Sequence, residues 1–367
     1  MLTYHDLGVR PFINGSGTIT TLGGSIMPPE VLEAMRQAAG GYVDLNELHI
    51  RAGEKLSQMI GVEAAFISCG AASGMQLSAA ACLTGTDKDK IARLPSTAGL
   101  KNEFIIGKVD PHFYVHQGIE MVGGKLVWVG TTERVTTQDI VGGISPRTAA
   151  VVHFLGRQTK EQLREVLRET RKAGVPTIVD AAAQLPPRSN LTEIVEMGAD
   201  LVAFSGGKGI RGPQCTGLVV GRKEKVEAAR LNSSPWSAIG RGMKVGKEEI
   251  VGLVAAVELF LAKDEAEELR EWDRMASLIV ESMSGLMGIK ASVKNKGQEA
   301  APDIAPRAYI DLDGSYKKNK YQVIEELKSG DPPIAVRESR AGILVDPMTL
   351  KDGEEKIVAR RLREVLS

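Results

Sequence analysis

The chain has 367 residues, of which 43% are hydrophobic and 25% charged, and its 46 lysines and arginines balance 46 aspartates and glutamates. This length exceeds one ordinary hydrophobic core and predicts a large domain together with a smaller one. A formal charge of zero supplies no long-range attraction to nucleic acid or to anionic lipid, so we expect a small-molecule partner.

The cysteines and histidines give no sign of a disulfide framework or a metal site. Cys69, Cys82 and Cys215 are an odd number without a CxxC pair, which favours free thiols in a reducing cytosol. The sequence contains no His-Glu-x-x-His motif that would indicate a metal. The N-terminus lacks a basic and an apolar signal region, and no segment offers about eighteen uninterrupted apolar residues. We therefore expect a cytoplasmic protein without a bound metal.

The first two thirds of the chain alternate between short apolar runs and amphipathic helices, after a glycine-rich arm from Phe12 to Gly24. Such alternation predicts an α/β fold with a mostly parallel sheet covered on both faces. Ligands of these sheets bind at the carboxyl ends of the strands. The predicted helices are Pro28–Ala39, Ile50–Ile60, Gly74–Cys82, Gln117–Val122 and Lys160–Lys172, and the predicted strands are Ala64–Ser68, Glu103–Ile106, Lys125–Val129, Ala149–Phe154, Pro176–Val179 and Leu201–Phe204.

The pattern changes near Ser233–Trp236, where longer helices begin. A helix from Lys247 to Leu261 and a charged run lead to a helix ending near Leu286. Strands and one more helix follow, which predicts a compact α+β C-terminal domain. The expected domains are an N-terminal arm and helix (1–48), a large domain (49–246) and a small domain (247–367). The predicted late elements are strands Ala308–Leu312, Ile334–Arg337 and Gly342–Val345 and helix Lys320–Leu327.

The most informative segment is the glycine-rich loop that carries Lys208. It follows the apolar strand Leu201–Phe204, has Ser205 three residues before the lysine, and continues into Gly212-Pro213-Gln214. A surface lysine in a flexible loop is the simpler interpretation, but the delivering strand and the shaped backbone favour a functional amine. A P-loop is excluded because glycine follows the lysine and no helix opens there.

Asp180 ends the preceding apolar strand and is either a helix N-cap or the partner of a cationic ring nitrogen. Its short distance in sequence from the strand that precedes Lys208 favours the role of partner to a cationic ring nitrogen. A lysine that forms a Schiff base and a carboxylate that keeps a pyridine nitrogen protonated are the groups that pyridoxal 5'-phosphate chemistry requires. We therefore predict that cofactor, with Lys208 and Asp180 as the catalytic residues.

The small residues from Ser68 to Gly74 are the candidate phosphate cradle. Backbone N–H groups of Gly70, Ala71 and Ala72 would approach the anion at a helix N-terminus. Many strand-to-helix turns are glycine-rich for steric reasons alone, so the prediction depends on the order of cradle, aspartate and lysine. Ser205 is a second candidate for contacting the phosphate.

A cofactor ring also needs a flat side chain on one face. His116 is the first candidate for this stacking and Tyr114 the second, while His153 is expected near the cofactor from its place at a strand end. Each histidine is about as consistent with a structural role, since nothing local separates the two. His5, His49 and His112 have less weight in this interpretation.

The chain resembles the fold-type-I pyridoxal-phosphate family that contains L-seryl-tRNA selenium transferase and the D-glucosaminate-6-phosphate ammonia-lyases. The resemblance covers almost the whole chain, and the lysine loop with its Gly-Pro-Gln tail is its most specific part. It implies a seven-stranded, mostly parallel sheet between helices and a smaller α+β domain. The segments that carry it are Ile13–Thr18, Val127–Arg134, Ser205–Gln214, Gly217–Gly221 and Arg241–Lys247.

Two departures place the chain nearer the ammonia-lyase branch. A selenium transferase has an additional N-terminal tRNA-binding domain, whereas the resemblance here begins almost at Met1, and zero net charge agrees with the absence of tRNA binding. The stretches Asp180–Pro187, Ile91–Pro95 and Lys101–Glu103 are also similar to the ammonia-lyases.

The resemblance implies a lyase that eliminates water and ammonia from a small hydroxyamino acid or amino sugar acid, with D-glucosaminate 6-phosphate as one candidate. A racemase or epimerase, or an aldolase or transaminase, would use the same lysine and aspartate. A selenium transferase, or a non-catalytic protein on the same fold, is the more remote alternative.

The substrate carboxylate needs a bidentate cation, and Arg337 is the first candidate and Arg340 the second, with Thr18 as a further substrate-binding residue. Enzymes of this fold complete each active site from a neighbouring subunit, so we expect a homodimer or a higher homo-oligomer. Arg241, Lys244 and Lys247 are candidates for reaching across that interface, although a basic helix start explains them equally well.

Overall fold

The computed structural model describes residues 2–295, 305–314 and 316–367. They form two compact units. The large unit spans residues 26–263, and the small unit contains residues 2–25 and the described residues from 264 onward.

The strands, in chain order, are β1 (Ile13–Asn14), β2 (Ala64–Ser68), β3 (Glu103–Gly107), β4 (Lys125–Val129), β5 (Thr148–Phe154), β6 (Thr177–Asp180), β7 (Leu201–Ser205), β8 (Gly217–Gly221), β9 (Ile289–Asn295), β10 (Pro306–Leu312), β11 (Ile334–Ala335), β12 (Arg337–Glu338) and β13 (Gly342–Val345). The α-helices are α1 (Pro29–Ala39), α2 (Leu45–Ile60), α3 (Gly70–Thr84), α4 (Lys88–Arg93), α5 (Phe113–Met121), α6 (Thr137–Gly142), α7 (Lys160–Lys172), α8 (Asn190–Glu196), α9 (Lys223–Leu231), α10 (Lys247–Ala262), α11 (Glu265–Glu281), α12 (Lys320–Ser329) and α13 (Glu354–Leu366).

A seven-stranded sheet forms the centre of the large unit, in the order β2-β8-β7-β6-β5-β3-β4. Six of these seven strands run in the same direction, and β8 is the reversed one. The predicted mostly parallel sheet is therefore confirmed. The carboxyl ends of β2, β7, β6, β5 and β3 lie at one edge, and β8 begins there because its direction is reversed.

Both faces of this sheet are covered by helices, which explains why its strands are nearly continuous apolar runs. On one face Ile178, Ala203 and Phe154 pack with side chains of α3 and α5. On the other face Val179 and Phe204 pack with side chains of α2 and α10. The sheet is thus buried between two helical layers, and its strand ends remain as the accessible edge.

The large unit includes α10, which the sequence analysis assigned to the small domain. Helix α10 packs on α1, and a Cβ atom on Gly252 would lie 2.7 Å from the Met35 Cγ atom, so the two helices approach at this glycine. Ile250, Leu253 and Phe260 contribute to the same core as the sheet. Burial of this apolar face keeps α10 with the large unit.

The small unit contains a four-stranded antiparallel sheet in the order β12-β13-β10-β9. Ala308 and Ile310 of β10 and Ile343 and Val345 of β13 share a core with helices α11, α12 and α13. Strand β1 of the N-terminal arm pairs in parallel with β11. This arrangement agrees with the predicted α+β domain.

Several helices begin earlier than the sequence predicted. Asp44 caps α2 by accepting hydrogen bonds from the backbone N–H groups of Asn46 and Glu47, so the helix begins at Leu45 rather than Ile50. Helices α3 and α5 each begin four residues before the predicted start. None of the helices in the described part of the chain combines the length and the apolar composition needed to span a bilayer.

Candidate active site

The predicted cradle, aspartate and lysine lie at the same edge of the seven-stranded sheet. Ser68, the first residue of the cradle, pairs with Gly217 at the start of β8, and Gly217 pairs with Ser205 at the end of β7. Asp180 pairs with Ala203 of β7. The sheet topology therefore brings the three predicted elements together, in the arrangement expected of a ligand site.

Asp180 points to the face of the sheet that α3 and α5 cover, because it alternates with Val179 and shares a face with Ile178. Its Oδ1 atom accepts a hydrogen bond of 2.9 Å from the Ala182 backbone N–H. Burial raises the pKa of the Asp180 carboxyl, and the positive charges of His112 and Lys208 act in the opposite direction. A cationic ligand group beside this carboxylate would favour its ionised form.

The loop that carries Lys208 is held by backbone contacts. The Gly206 N–H donates a hydrogen bond of 2.9 Å to the Thr216 carbonyl, and the Gly206 carbonyl accepts one of 2.8 Å from the Gly212 N–H. A Cβ atom on Gly209 would lie 2.4 Å from the Leu185 carbonyl oxygen, so only glycine fits there. The close packing fixes the backbone on both sides of Lys208.

The Lys208 side chain is partly buried, and within residues 2–295, 305–314 and 316–367 no hydrogen bond or ion pair engages its ammonium group. Burial lowers the pKa of Lys208, and the charge of Asp180 raises it in part. A larger fraction of the amine is therefore neutral than for an exposed lysine, which suits a nucleophile or a base.

The residues predicted to bind the phosphate lie at the N-terminus of α3. Its N-cap residue, Cys69, makes no side-chain capping hydrogen bond, so the first backbone N–H groups of this helix, including those of Gly70, Ala71 and Ala72, remain as donors. Gly70 faces open space, because a Cβ atom there would meet nothing within 4 Å. Ser205 lies on the Asp180 face at the end of β7. These features fit an anionic group at the helix N-terminus.

The charges of both Asp180 and Lys208 act on the aromatic side chain of His112. Its ring stacks on Phe154 with a centroid distance of 5.8 Å and an angle of 13°, and Phe154 pairs with Asp180 across the sheet. The His112 side chain is 42% exposed. The hydrogen bond to Asp110 raises the pKa of His112, burial lowers it, and Asp180 and Lys208 also act on it.

His116, the first candidate for ring stacking, is buried instead. Its Nε2 atom lies 2.8 Å from Asp110 Oδ2, and its ring meets Trp128 and Phe154 edge-on. A buried ring with both faces enclosed has no free surface for a cofactor. The structure thus favours His112 over His116 for stacking. Tyr114 is 53% exposed and meets the His112 ring edge-on at 5.7 Å, so it lies at the margin of the same region.

His153 does not face this site. It pairs with Val179 on β6, whereas Asp180 pairs with Phe154, so His153 and Asp180 point to opposite faces of the sheet. The His153 ring is fully buried, and burial lowers its pKa to about 3. The expectation from its strand-end position was wrong about direction, because adjacent residues of a strand alternate between faces.

The three predicted substrate-binding residues belong to the small unit. Arg337 lines an apolar cavity of about 400 Å³ together with Phe12, Ile19 and Ile334. Arg340 is exposed and Thr18 is partly exposed. Their roles in substrate binding stay predictions.

The candidates for reaching a neighbouring subunit differ in their surroundings. Arg241 and Lys244 are exposed. Lys247 Nζ pairs with Glu248 and donates to the Ala39 carbonyl at 3.3 Å. Arg241 and Lys244 are therefore the better candidates of the three.

The strand order, the reversed β8, and the lysine and aspartate at one sheet edge define the fold-type-I class of pyridoxal-phosphate enzymes. Residues 12–277 match the family described as SelA: L-seryl-tRNA selenium transferase. The chain belongs to this family.

Comparison with individual proteins refines the position within the family. The chain is 32% identical to a 5'-C-glycyluridine monooxygenase-decarboxylase of a Streptomyces species, over 100% of this chain and 92% of the relative. It is 29% identical to the D-glucosaminate-6-phosphate ammonia lyase of Salmonella typhimurium, over 99% and 97%. A solved structure of D-glucosaminate-6-phosphate ammonia-lyase superimposes with a TM-score of 0.83 at 29% identity, covering 99% of this chain and 97% of that one.

The selenium transferases are more distant, at 23–28% identity. The predicted family, and the greater similarity to its ammonia-lyase branch, are therefore confirmed. The similarity to the monooxygenase-decarboxylase was not anticipated from the sequence motifs.

Two residues near the candidate site could not be assigned from the sequence motifs: Asp110 is absent from the predicted set, and His112 has less weight there than His116 and Tyr114. Both lie between β3 and α5, at the same sheet edge as Asp180. The available signal was position, since Asp110 follows the end of a predicted strand as Asp180 does. The predicted start of α5 at Gln117 placed residues 112–116 in a loop. The sequence therefore did not show in which direction their side chains point.

Proposed function

We propose that the chain is a pyridoxal-phosphate-dependent ammonia-lyase that eliminates water from a small hydroxyamino acid or amino sugar acid, after which hydrolysis of the released enamine gives ammonia and a 2-oxo acid. The observation that carries the proposal is the placement of Asp180 and Lys208 on neighbouring strand ends, in a chain 29% identical over its whole length to an ammonia-lyase. D-Glucosaminate 6-phosphate is the first candidate substrate.

The residues at the sheet edge fit the cofactor. The uncapped α3 N-terminus suits its phosphate, the Asp180 carboxylate suits its ring nitrogen, and the unengaged Lys208 amine suits its aldehyde. His112 presents a ring that would cover one face. When bound, pyridoxal phosphate withdraws electrons from the bond that breaks at the substrate Cα atom.

The side chains then have separate tasks. Lys208 accepts the proton from the substrate Cα atom, and its lowered pKa keeps a neutral amine available for this. Asp180 would stay ionised beside the cationic ring nitrogen of the cofactor and so stabilise the proton on that nitrogen. Arg337 is the proposed partner of the substrate carboxylate, through two parallel N–H···O hydrogen bonds.

Product analysis tests the proposed reaction. We expect the purified protein, supplied with pyridoxal phosphate, to release ammonia and a 2-oxo acid from D-glucosaminate 6-phosphate or from a small hydroxyamino acid. The Lys208→Ala variant should lose this activity, whereas Lys88→Ala, at an exposed lysine of α4, should retain it. Inversion of the substrate without ammonia would indicate a racemase and contradict the proposal.

The similarity to the monooxygenase-decarboxylase supports a second candidate function. That relative shares 32% identity over this whole chain. In this case the substrate would be a 2-amino acid attached to a nucleoside. The reaction would consume molecular oxygen and release carbon dioxide. Oxygen uptake with carbon dioxide release, in place of ammonia release from a hydroxyamino acid, would favour this alternative.

We also propose that the protein is a cytoplasmic homodimer or higher homo-oligomer. The three cysteines are all free thiols, which suits a reducing compartment. Arg241 and Lys244 supply exposed cations near the start of α10 that a neighbouring site could use.

A further inference from the structure

A buried carboxylate between β3 and α5 holds two histidines at once. The Asp110 side chain is 0% exposed. His112 Nδ1 lies 2.5 Å from Asp110 Oδ1, and His116 Nε2 lies 2.8 Å from Asp110 Oδ2. The His112 backbone N–H adds a hydrogen bond of 3.1 Å to Oδ2. Both carboxylate oxygens are thus occupied by donors from the first turn of α5 and the residue before it.

These contacts determine where the proton of His112 resides. Burial would raise the pKa of the Asp110 carboxyl, but the hydrogen bonds from His112 and His116 outweigh it, and the pKa is lowered. An ionised carboxylate only accepts hydrogen bonds, so His112 Nδ1 must donate. Nε2 is then the ring atom of His112 that remains for other partners.

The position of His112 connects this cluster to the candidate active site. The His112 ring lies on Phe154, the neighbour of Asp180, and is partly open to solvent while His116 is enclosed. The charged groups that act on His112 come from three places: Asp110 from its own loop, Asp180 from β6 and Lys208 from the loop after β7. Two of the three are carboxylates, so the surroundings favour a protonated ring.

We propose that Asp110 is the positioning residue of the active site, and that it holds His112 with Nε2 free so that His112 acts as the acid for the hydroxyl group that leaves the substrate. This inference rests on the proposed elimination. In that step the Cα–H bond breaks with its proton passing to Lys208, and the Cβ–O bond breaks with its electron pair leaving on oxygen. The proton on His112 Nε2 passes to that oxygen, water departs, and His112 is left neutral against an unchanged Asp110 carboxylate.

The Asp110→Asn variant tests the inference with two independent readouts. The first is NMR titration of the His112 ring in the full chain, without and with pyridoxal phosphate. We expect the titration to move to lower pH, because the amide no longer stabilises the imidazolium. The second is steady-state kinetics, where we expect kcat to fall by about 10² to 10⁴-fold, the usual contribution of an acid catalyst, with little change in KM.

The controls separate this role from a structural one. Asp139→Asn changes the partly exposed carboxylate that pairs with the N-cap residue Thr136 at the start of α6, and it should leave both readouts unchanged. His112→Gln should show a similar loss of kcat and, although it also removes the ring proposed to cover the cofactor, it should still bind pyridoxal phosphate through Asp180, Lys208 and the α3 N-terminus. The double variant should be no slower than His112→Gln alone, since two residues that act as one unit are not additive. If Asp110→Asn does not fold, His112→Gln decides whether an acid acts here.

The outcomes also distinguish this inference from the proposed reaction. Failure of the wild-type protein to release ammonia would contradict the proposed function, while the NMR titration would still report whether Asp110 controls the His112 proton. An unchanged His112 titration in Asp110→Asn would overturn the positioning role. A changed titration with unchanged kcat, or full activity of His112→Gln, would overturn the acid role.

Discussion

The opposite pKa shifts of Asp180 and Lys208 share one physical cause. Burial disfavours the charged form of each side chain, so it raises the pKa of the carboxyl and lowers that of the amine, and their mutual attraction opposes both shifts. A cationic ring nitrogen at Asp180 would remove the disadvantage of the ionised carboxylate. At the scale of single residues, the site is therefore adapted to a ligand with one positive group.

Single residues also show why the sequence identified some groups and not others. Asp180 and Lys208 could be found because each directly follows a strong apolar strand, so their shared edge follows from the topology of parallel sheets. The choice between His112 and His116 depends on which ring is enclosed by Trp128 and Phe154, and that is set by the rotation of α5. No local pattern in the sequence specifies that rotation.

A buried histidine outside the candidate site predicts a pH effect on stability. His49 of α2 stacks on Phe66, and burial together with the charge of Arg230 lowers its pKa to about 4 from an ordinary value of 6.5. Between these values the unfolded chain binds a proton that the folded chain does not. Stability is then fully present above pH 6.5 and falls with decreasing pH, by about 2–3 kcal/mol at pH 4 from this group.

Chemical denaturation between pH 5 and 7 measures this effect. The unfolding free energy of the wild-type protein should decrease more steeply towards pH 5 than that of His49→Gln, which lacks the titrating ring. His5→Gln, at an exposed histidine, should retain the wild-type slope. Equal slopes for the wild-type and His49→Gln proteins would show that His49 is not buried as a neutral ring.

At the scale of elements, the backbone of the loop that carries Lys208 is constrained by hydrogen bonds and by close packing. Its backbone closes on itself through Gly206 and Gly212, and Gly209 lies against the Leu185 carbonyl in the segment that follows β6. The loop after the lysine strand is therefore supported by the loop after the aspartate strand. Packing between these two loops helps to set the separation of Asp180 and Lys208, the two proposed catalytic groups.

The Gly209→Ala substitution tests this support. A Cβ atom 2.4 Å from a backbone oxygen forces one loop to move, so we expect a loss of about 1–3 kcal/mol in unfolding free energy and weaker binding of pyridoxal phosphate. Gly142→Ala is the matched control, because a Cβ atom there meets nothing within 4 Å. Wild-type stability and cofactor affinity in Gly209→Ala would contradict the proposed packing.

The order of helices and strands along the chain could largely be predicted from the sequence. Which of these elements pair or pack together could be predicted less well. Alternating apolar runs gave the parallel sheet because fully buried strands have that composition. Strand β8 is antiparallel to β7 because the Lys208 loop reverses the chain and places β8 directly beside β7. The spacing of apolar residues in the sequence does not predict this reversal. The assignment of α10 depends on the close approach of Gly252 to Met35, which is a contact between distant parts of the sequence.

At the scale of the whole molecule, the balanced charge and the two compact units agree with an enzyme that binds a small ligand. The domain division differs from the expected one because helices α1 and α10 bury their apolar faces in the large unit. The similarity to two relatives of different reaction type shows that this fold supports several chemistries, so the reaction must be established from products.

Mixing of inactive subunits tests whether neighbouring chains share each active site. Lys208→Ala and Arg241→Glu should each be inactive alone if Arg241 reaches the site of the neighbouring subunit. After subunit exchange in an equal mixture, about one quarter of dimer sites would combine both native residues, and activity should return to about that fraction. Failure to recover activity, with exchange verified by mass spectrometry, would argue against a shared site.

The most direct measurement of the central claim is reduction of the protein with borohydride in the presence of pyridoxal phosphate, followed by peptide mass spectrometry. Borohydride converts a linkage between an amine and the cofactor aldehyde into a stable bond that survives digestion. We predict one modified residue, Lys208, and loss of that modification in Lys208→Ala. A cofactor adduct at another lysine, or no adduct in a folded protein, would contradict it.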